Sequence, residues 1–403
     1  MKFDLFSLLF IVATDYIGLG KYIGILKKLP LPLVLILSIY YVSKGRIKDL
    51  VKYKQAKILL FILIYTMASI TFALLQKNAF DIFKAQFSYF LLFIVIFFAL
   101  KDIRKIEIFL FSMIIIHLFL IVTNIGIITS GSRAGAFDAG YFLGDGNDMG
   151  WSLAIVLPFS IYFLKNKTKF SSKIIFTLIT FIFISGLLGI ASRGATLAVA
   201  ASFLYMLKNS KKKLIICTVL VLSGILITII APKIFVDRMS GITEYKSDSS
   251  AMGRIIAWKA ATLMAIDHPL GVGAGNFSPV YGRFYRERVV SENIWGSARW
   301  ISAHSIYFLM LAEYGFLGAT MLIYLIFLNI KENSSVIDKY QNQEQNRKEN
   351  EKILILAKHL NMSMIAFAVG GAFLGGIHYP HLFILTALTI RMNEISNARK
   401  NEK

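Results

Sequence analysis

Twelve apolar runs, separated by short polar or basic connections, dominate this chain and restrict it to one kind of fold. They cover residues 3–19, 31–42, 58–75, 85–100, 108–128 and 149–164, then 174–191, 194–207, 214–231, 305–330, 353–374 and 379–390. A helix needs about 20 apolar residues to cross ~30 Å of hydrocarbon. Most of the runs come near that length. The second, eighth and twelfth are shorter and must borrow flanking residues or thin the bilayer locally. With 56% hydrophobic residues and a mean hydropathy of +0.65, the 403-residue chain is expected to be an all-α integral membrane protein. It reads as a single polytopic domain over 1–403, not as two or three soluble domains. The first run has no small-residue cleavage site and is expected to stay as a signal anchor. The lone cysteine, Cys217, lies in an apolar run and forms no intramolecular disulfide, so it says nothing about redox compartment.

The net charge of +21 tests the span count independently. With the N-terminus in the cytoplasm, 27 of the 44 Lys and Arg fall on the cytoplasmic side, against 7 in the short outer connections. This is the asymmetry of the positive-inside rule, and a missed or extra span would scramble it. Twelve spans with both termini cytoplasmic are therefore expected. The positive charge then reflects topology, and no nucleic-acid partner is needed to explain it. Low-complexity residues 331–352 read as a cytoplasmic linker. One connection, 232–303, is long, and it lies on the extracytoplasmic side between the ninth and tenth spans. Within it "SSAMGRIIAWKAATLMAID" predicts an amphipathic helix, followed by the glycine-rich turn "HPLGVGAGNF". The aromatic and arginine-rich "YGRFYRERVVSENIWGSARW" then suits either a lipid headgroup layer or a solvated loop.

The unusual polar residues gather on that outer side. His304 precedes the tenth run in "AHSIYFLMLAEYGFLG". On one continuous helix His304, Phe308, Leu311, Gly315 and Gly318 fall within about 40° of a line, which predicts two glycines beneath the histidine for a neighbouring helix to approach. Glu313 would lie on the opposite face about 14 Å deeper, out of reach of His304. An ionisable group at that depth is either functional or engaged in an interhelical hydrogen bond, and the hydrogen bond is the better fit. Arg193, in "ASRGAT", opens a helix. A cation is unfavourable at that positive end of the dipole unless an anion sits between guanidinium and backbone amides. Arg254, on the amphipathic helix, and Arg133, in "SGSRAG", are further outward arginines. Asp145, Asn147 and Asp148, in "GDGNDMGW", fit either a cation held by oxygen ligands or a turn capping the sixth span. The spacing does not complete an EF-hand loop, which favours the cap. His378 and His381, in "GIHYPH", are expected to face outward; a histidine pair three apart across a proline is a weak signal for metal, and no metal site is expected. Arginines at such a boundary suit a lipid-linked phosphate or diphosphate, and a histidine suits proton abstraction from a hydroxyl near neutral pH. With no nucleotide-binding motif in the sequence, the energy for a reaction must come from an activated substrate.

These segments resemble the O-antigen ligase and polymerase superfamily of bacterial envelope glycan enzymes. The family motif is a histidine, then Asn, Ser or Gln, nine residues, and a glycine with a small residue or tyrosine three positions on. Here it reads His304-Ser305, nine residues, and Gly315-Phe316-Leu317-Gly318, with the often-present glutamate at Glu313. "SRGAT", "GRIIAWKAATLMAIDHPLGVGAGNF" and "GDGNDMGWSLAIVLP" are also similar to the family, so the likeness covers roughly residues 130 to 320. The resemblance implies a metal-independent, inverting glycosyltransferase of the inner membrane without a cofactor, its active site facing the periplasm. The donor would be a glycan linked to undecaprenyl diphosphate. His304 would be the general base, Arg193 and Arg254 would hold the diphosphate with Arg133 beside them, and Asp145, Asn147, Glu313 and His378 would orient substrate. A ligase would use lipid A-core as acceptor, and an O-antigen or exopolysaccharide polymerase would use the growing glycan. A lipid or solute transporter is the alternative of another class; the lack of internal repeats and of mid-membrane polar clusters speaks against it.

Overall fold

The computed structural model describes residues 2–130, 137–166, 169–208, 249–290, 300–341, 348–376 and 378–401. Among these, every regular element is helical. In chain order the helices are α1 (Lys2–Ile17), α2 (Pro30–Ser43), α3 (Ile47–Val51), α4 (Lys54–Ser69), α5 (Gln76–Ala99), α6 (Ile103–Thr123), α7 (Ile125–Ser130) and α8 (Gly146–Asn166). They continue as α9 (Phe170–Ile190), α10 (Arg193–Lys208), α11 (Ser249–Asp267), α12 (Phe277–Val280), α13 (Arg286–Val289), α14 (Ile306–Gln341), α15 (Lys348–Gly371) and α16 (Pro380–Asn401). Eleven of the twelve apolar runs coincide with helices, and the run at 214–231 lies outside the described residues. Among the described residues, six helical stretches are long and apolar enough to cross a membrane: Gly24–Ser43, Gln76–Ala99, Ile103–Thr123, Phe170–Ile190, Ile306–Gln341 and Glu349–Gly371.

Local chemistry sets several helix ends. Pro30 opens α2 at the position where a missing N–H costs nothing, and the Asp102 carboxylate caps α6 by accepting from the Lys105 amide at 2.9 Å. At one end of the bundle α1, α4, α6, α9 and α15 finish while α5, α8, α10, α14 and α16 begin. The opposite end is tied by Tyr53 to Glu394, and by Glu107, which accepts from Tyr162 and Asn166 at 2.8 Å each. In the centre α15 packs on α8, α10, α14 and α16. Two glycines make this approach possible. A Cβ on Gly370 would stand 2.4 Å from the Trp151 ring of α8, and one on Gly371 would stand 2.5 Å from Ile306 at the start of α14.

Two expectations are corrected here. Residues 331–352 are largely helical, because α14 runs to Gln341 and α15 starts at Lys348; only 342–347 lie outside the described residues. The polar composition concealed Val336, Ile337 and Tyr340, which recur at helical spacing and are buried. The second correction concerns α14, which is not one continuous helix. Gly315 breaks it with φ 67° and ψ −167°, and a loop inserts at the break. Phe316 donates its amide to Pro269 O at 3.2 Å, Val272 N reaches Ala312 O at 2.9 Å, and Gly273 N reaches Glu313 O at 3.1 Å. The glycine motif thus admits a chain segment, not a neighbouring helix, and the wheel that aligned His304 with Gly315 and Gly318 does not hold.

Glu313 supplies the other half of this junction. Its buried carboxylate accepts from Gly275 N at 2.8 Å and Phe277 N at 3.0 Å. Asn276 pairs with the backbone of Leu75, and Ala274 N donates to Ser69 Oγ at 3.2 Å. The loop is thereby tied to α4, α5 and α14 together. Above it α11, α12 and α13 build a second, smaller apolar core around Ala257, Ala260, Met264, Phe277 and Tyr281. Substituting Gly315→Ala places a Cβ 2.0 Å from Pro269 O at a φ that side chains rarely adopt. It should lower the unfolding temperature in detergent by an amount equivalent to at least ~2 kcal/mol, whereas Gly126→Ala, with open space around it, should leave the temperature unchanged.

Candidate active site

Among the described residues, two that are not glycine adopt left-handed backbone conformations: His304 (φ 45°) and Ala191 (φ 51°). Such conformations cost on the order of 1–3 kcal/mol and persist where surrounding structure enforces them, commonly at functional sites. Both lie at the end of the bundle where α8, α10, α14 and α16 begin. Ala191 ends α9 by donating its amide to Leu187 O and Leu188 O. The turn leads at once into Ser192, whose carbonyl accepts from Thr196 N at 2.9 Å, and so presents Arg193 as the first residue of α10. Ser192 Oγ also donates to Asn147 Oδ1 at 3.0 Å. This bond joins the α10 start to the α8 start.

The turn before α8 closes on itself. Asp145 Oδ1 accepts from Asn147 N at 2.6 Å and Asp145 O accepts from Met149 N at 3.0 Å, so Asp145 caps the helix. Asp148 instead accepts from the Tyr379 hydroxyl at 3.0 Å. Among the described residues, no three His, Cys, Asp or Glu side chains converge as a metal-ligand set.

His304 is held from two sides. On one side α11 spans Ser249–Asp267, the bounds its sequence pattern indicated, and its Trp258 Nε1 donates to Ala303 O at 2.9 Å. The indole stacks on Phe308 at 5.0 Å between ring centroids. Arg254 lies one helical turn before Trp258, so the same docking brings its charge to His304. On the other side Gly375 approaches the backbone closely; a Cβ there would lie 3.7 Å from His304 Cα. Just before it, Phe373 and Leu374 cover Gly194, beside Arg193. Arg193 and His304 thus flank one segment, 373–375.

The electrostatics follow from this packing. Removal of water by the surrounding protein holds the His304 pKa below the ordinary 6.5; Arg254 lowers it further, and Asp145 opposes both. A neutral imidazole near pH 7 can accept a proton. Arg193 and Arg254 are half-buried cations at the same end of the bundle, suited to a diphosphate. Arg133 lies outside the described residues.

The histidines of "GIHYPH" do not form an outward pair. His381 is turned into the bundle, where its Nε2 meets Ser152 Oγ at 2.8 Å, and His117 Nε2 meets the same oxygen at 2.7 Å. His378, in the preceding turn, is held at a pKa of about 4 by burial, and its ring lies edge-on to Tyr379. The proline between the two histidines starts α16 and sends them in different directions. Glu313, expected to orient substrate, spends its carboxylate on the loop amides. Three positioning groups carried no readable signal: Trp258, Ser192 and Tyr379 each act through a partner far away in sequence.

A sequence model of the family described as O-antigen ligase matches residues 178–323, from α9 past the break in α14. The match contains Arg193, Arg254 and His304, and it ends before the helices that cover them from behind. No curated protein matches the chain. With its apolar helices the protein is a multi-pass membrane protein, and its residues 178–323 are similar to the O-antigen ligase family.

Proposed function

We propose that this protein is a glycosyltransferase that moves a glycan from undecaprenyl diphosphate to a sugar hydroxyl at the periplasmic face of the inner membrane. The observation that carries the reading is the convergence of a constrained histidine with Arg254 and Arg193 at one end of a membrane bundle. In the reaction His304 takes the proton of the acceptor hydroxyl as its oxygen attacks the anomeric carbon. The bond from that carbon to the diphosphate oxygen breaks on the opposite face, which inverts the anomeric configuration. The leaving diphosphate keeps the electron pair, and Arg193 and Arg254 stabilise the charge that develops on it. The diphosphate bond supplies the driving force, so no nucleotide or metal cofactor enters the scheme. Asp145, Asn147 and His378 orient substrate, and Glu313 contributes through the loop it holds. Arg133 is the third arginine of the set.

Lipid A-core is the proposed acceptor, which makes the protein a ligase. A polymerase would use the same base and arginines with the next lipid-linked repeat as acceptor. Reconstituted protein, supplied with an undecaprenyl diphosphate-linked glycan and each acceptor in turn, separates the two.

His304→Ala should abolish transfer while the variant accumulates in the membrane at the wild-type level; a normal rate from that variant would refute the assignment. The pH profile carries the second check. Transfer needs neutral His304, so the rate should fall only as pH drops below the ordinary imidazole value near 6.5. Arg254→Ala removes a cation that lowers this pKa, so its residual activity should lose its acid limb at higher pH. Asp145→Asn removes the opposing charge and should move the limb to lower pH. Limbs that stay fixed in both variants would remove His304 from the role of base.

A further inference from the structure

A cleft of 570 Å3 opens on the small core beside His304, between α11, α13 and the start of α14. Its volume falls within the ~300–1,000 Å3 of sites that hold small ligands. Trp258 and Phe308 form one wall, and they are the pair that docks α11 against Ala303. Thr262, Lys259 and Arg288 form the polar side. The cleft is therefore continuous with the structure that places the histidine.

Its charge is unbalanced. Asp267 is already occupied, accepting from Tyr285 at 2.8 Å and from Arg288. Arg288 also lies over the Tyr285 ring. Lys259 is exposed, and among the described residues no carboxylate lies within ion-pair reach of it. Arg283 and Arg286 follow on the same segment. An aromatic pair and an ammonium that line the same cleft suit a sugar ring that lays its C–H face on the aromatic side chains and carries an anion for the lysine. The walls belong to the core built above the bundle, not to the apolar bundle itself, which favours a water-borne saccharide over a lipid headgroup.

We propose that this cleft is a glycan subsite selective for acidic saccharides, those bearing carboxylate or phosphate, and that it selects the glycan delivered to His304. The proposal rests on the glycosyltransferase reading of the adjacent site, but its test does not depend on turnover. In nanodiscs of neutral phosphatidylcholine, fluorescence anisotropy is measured with a labelled oligogalacturonide and with a neutral maltooligosaccharide of equal length. The acidic probe should bind about tenfold more tightly, with an advantage that shrinks as salt is raised. Lys259→Glu should weaken the acidic probe at least about fivefold and leave the neutral one unchanged, and Lys259→Gln should fall between. His304→Ala should bind the acidic probe as wild type does, so a failed catalytic assignment and a failed subsite give different patterns. Equal affinity for the two glycans overturns the proposal. So does a Lys259→Glu loss seen with phosphatidylglycerol vesicles but not with the oligogalacturonide, which would make the cleft a lipid contact.

Discussion

A carboxylate buried among apolar side chains must be satisfied, and Glu313 is satisfied by a loop, not by a helix. Its acceptance of two backbone amides from residues 275–277 fixes the glycine-rich segment against α14 at the point where Gly315 interrupts the helix. Charge-assisted bonds of this kind contribute ~1.5–3 kcal/mol each, and the loop's other bonds to Ser69 and Leu75 spread the anchorage over three helices. The consequence is mechanical. The C-terminal end of α11 runs into this loop, so the amphipathic helix is fastened at one end by Glu313 and near its middle by Trp258.

That two-point attachment holds Arg254 in place beside His304. A loop helix free to rock would move Arg254 relative to His304, and the electrostatic effect of a cation on an imidazole falls quickly with distance. The left-handed backbone at His304 belongs to the same arrangement, since it is held between the Trp258 bond to Ala303 and the close pass of Gly375. Arg193 reaches the site by an independent route, through the αL turn at Ala191 and the Ser192–Asn147 bond. The site is thus assembled from three separate stretches of chain meeting at one end of the bundle. Beneath it, Ser152 joins His117 and His381 and ties α6, α8 and α16 together.

Much of this was readable from residues alone, and the reasons differ by element. The apolar runs located eleven helices because a membrane removes the alternatives for an unpaired backbone. The amphipathic pattern of 249–267 gave α11 with its bounds, since polar and apolar faces at 3.6 spacing have few other interpretations. Asp145 as a helix cap followed from an aspartate before an apolar run. The reading failed where a residue's partner lay far along the chain. Gly315 looked like a packing surface because small-residue spacing is the same whether a helix or a loop comes close. His381 looked outward because a turn next to a span gives no sign of which way the following helix points its first turn. The linker at 331–352 failed for a related reason, as three buried apolar residues were diluted by polar neighbours.

The amino-acid order by itself determined that the chain is helical and membrane-bound, that His304 and Arg193 sit just outside apolar runs, and that Arg254 lies on an amphipathic helix of the long connection between them. Hydropathy and helix capping are local properties, so a short window of residues suffices to express them. Tertiary structure alone decided that Glu313 serves a loop, that Trp258 sets the distance between Arg254 and His304, and that Tyr379 pairs with Asp148. Each of these depends on which surfaces come together once the helices pack, and that choice is made by shape and burial summed over the whole bundle, not by any stretch of chain read in isolation.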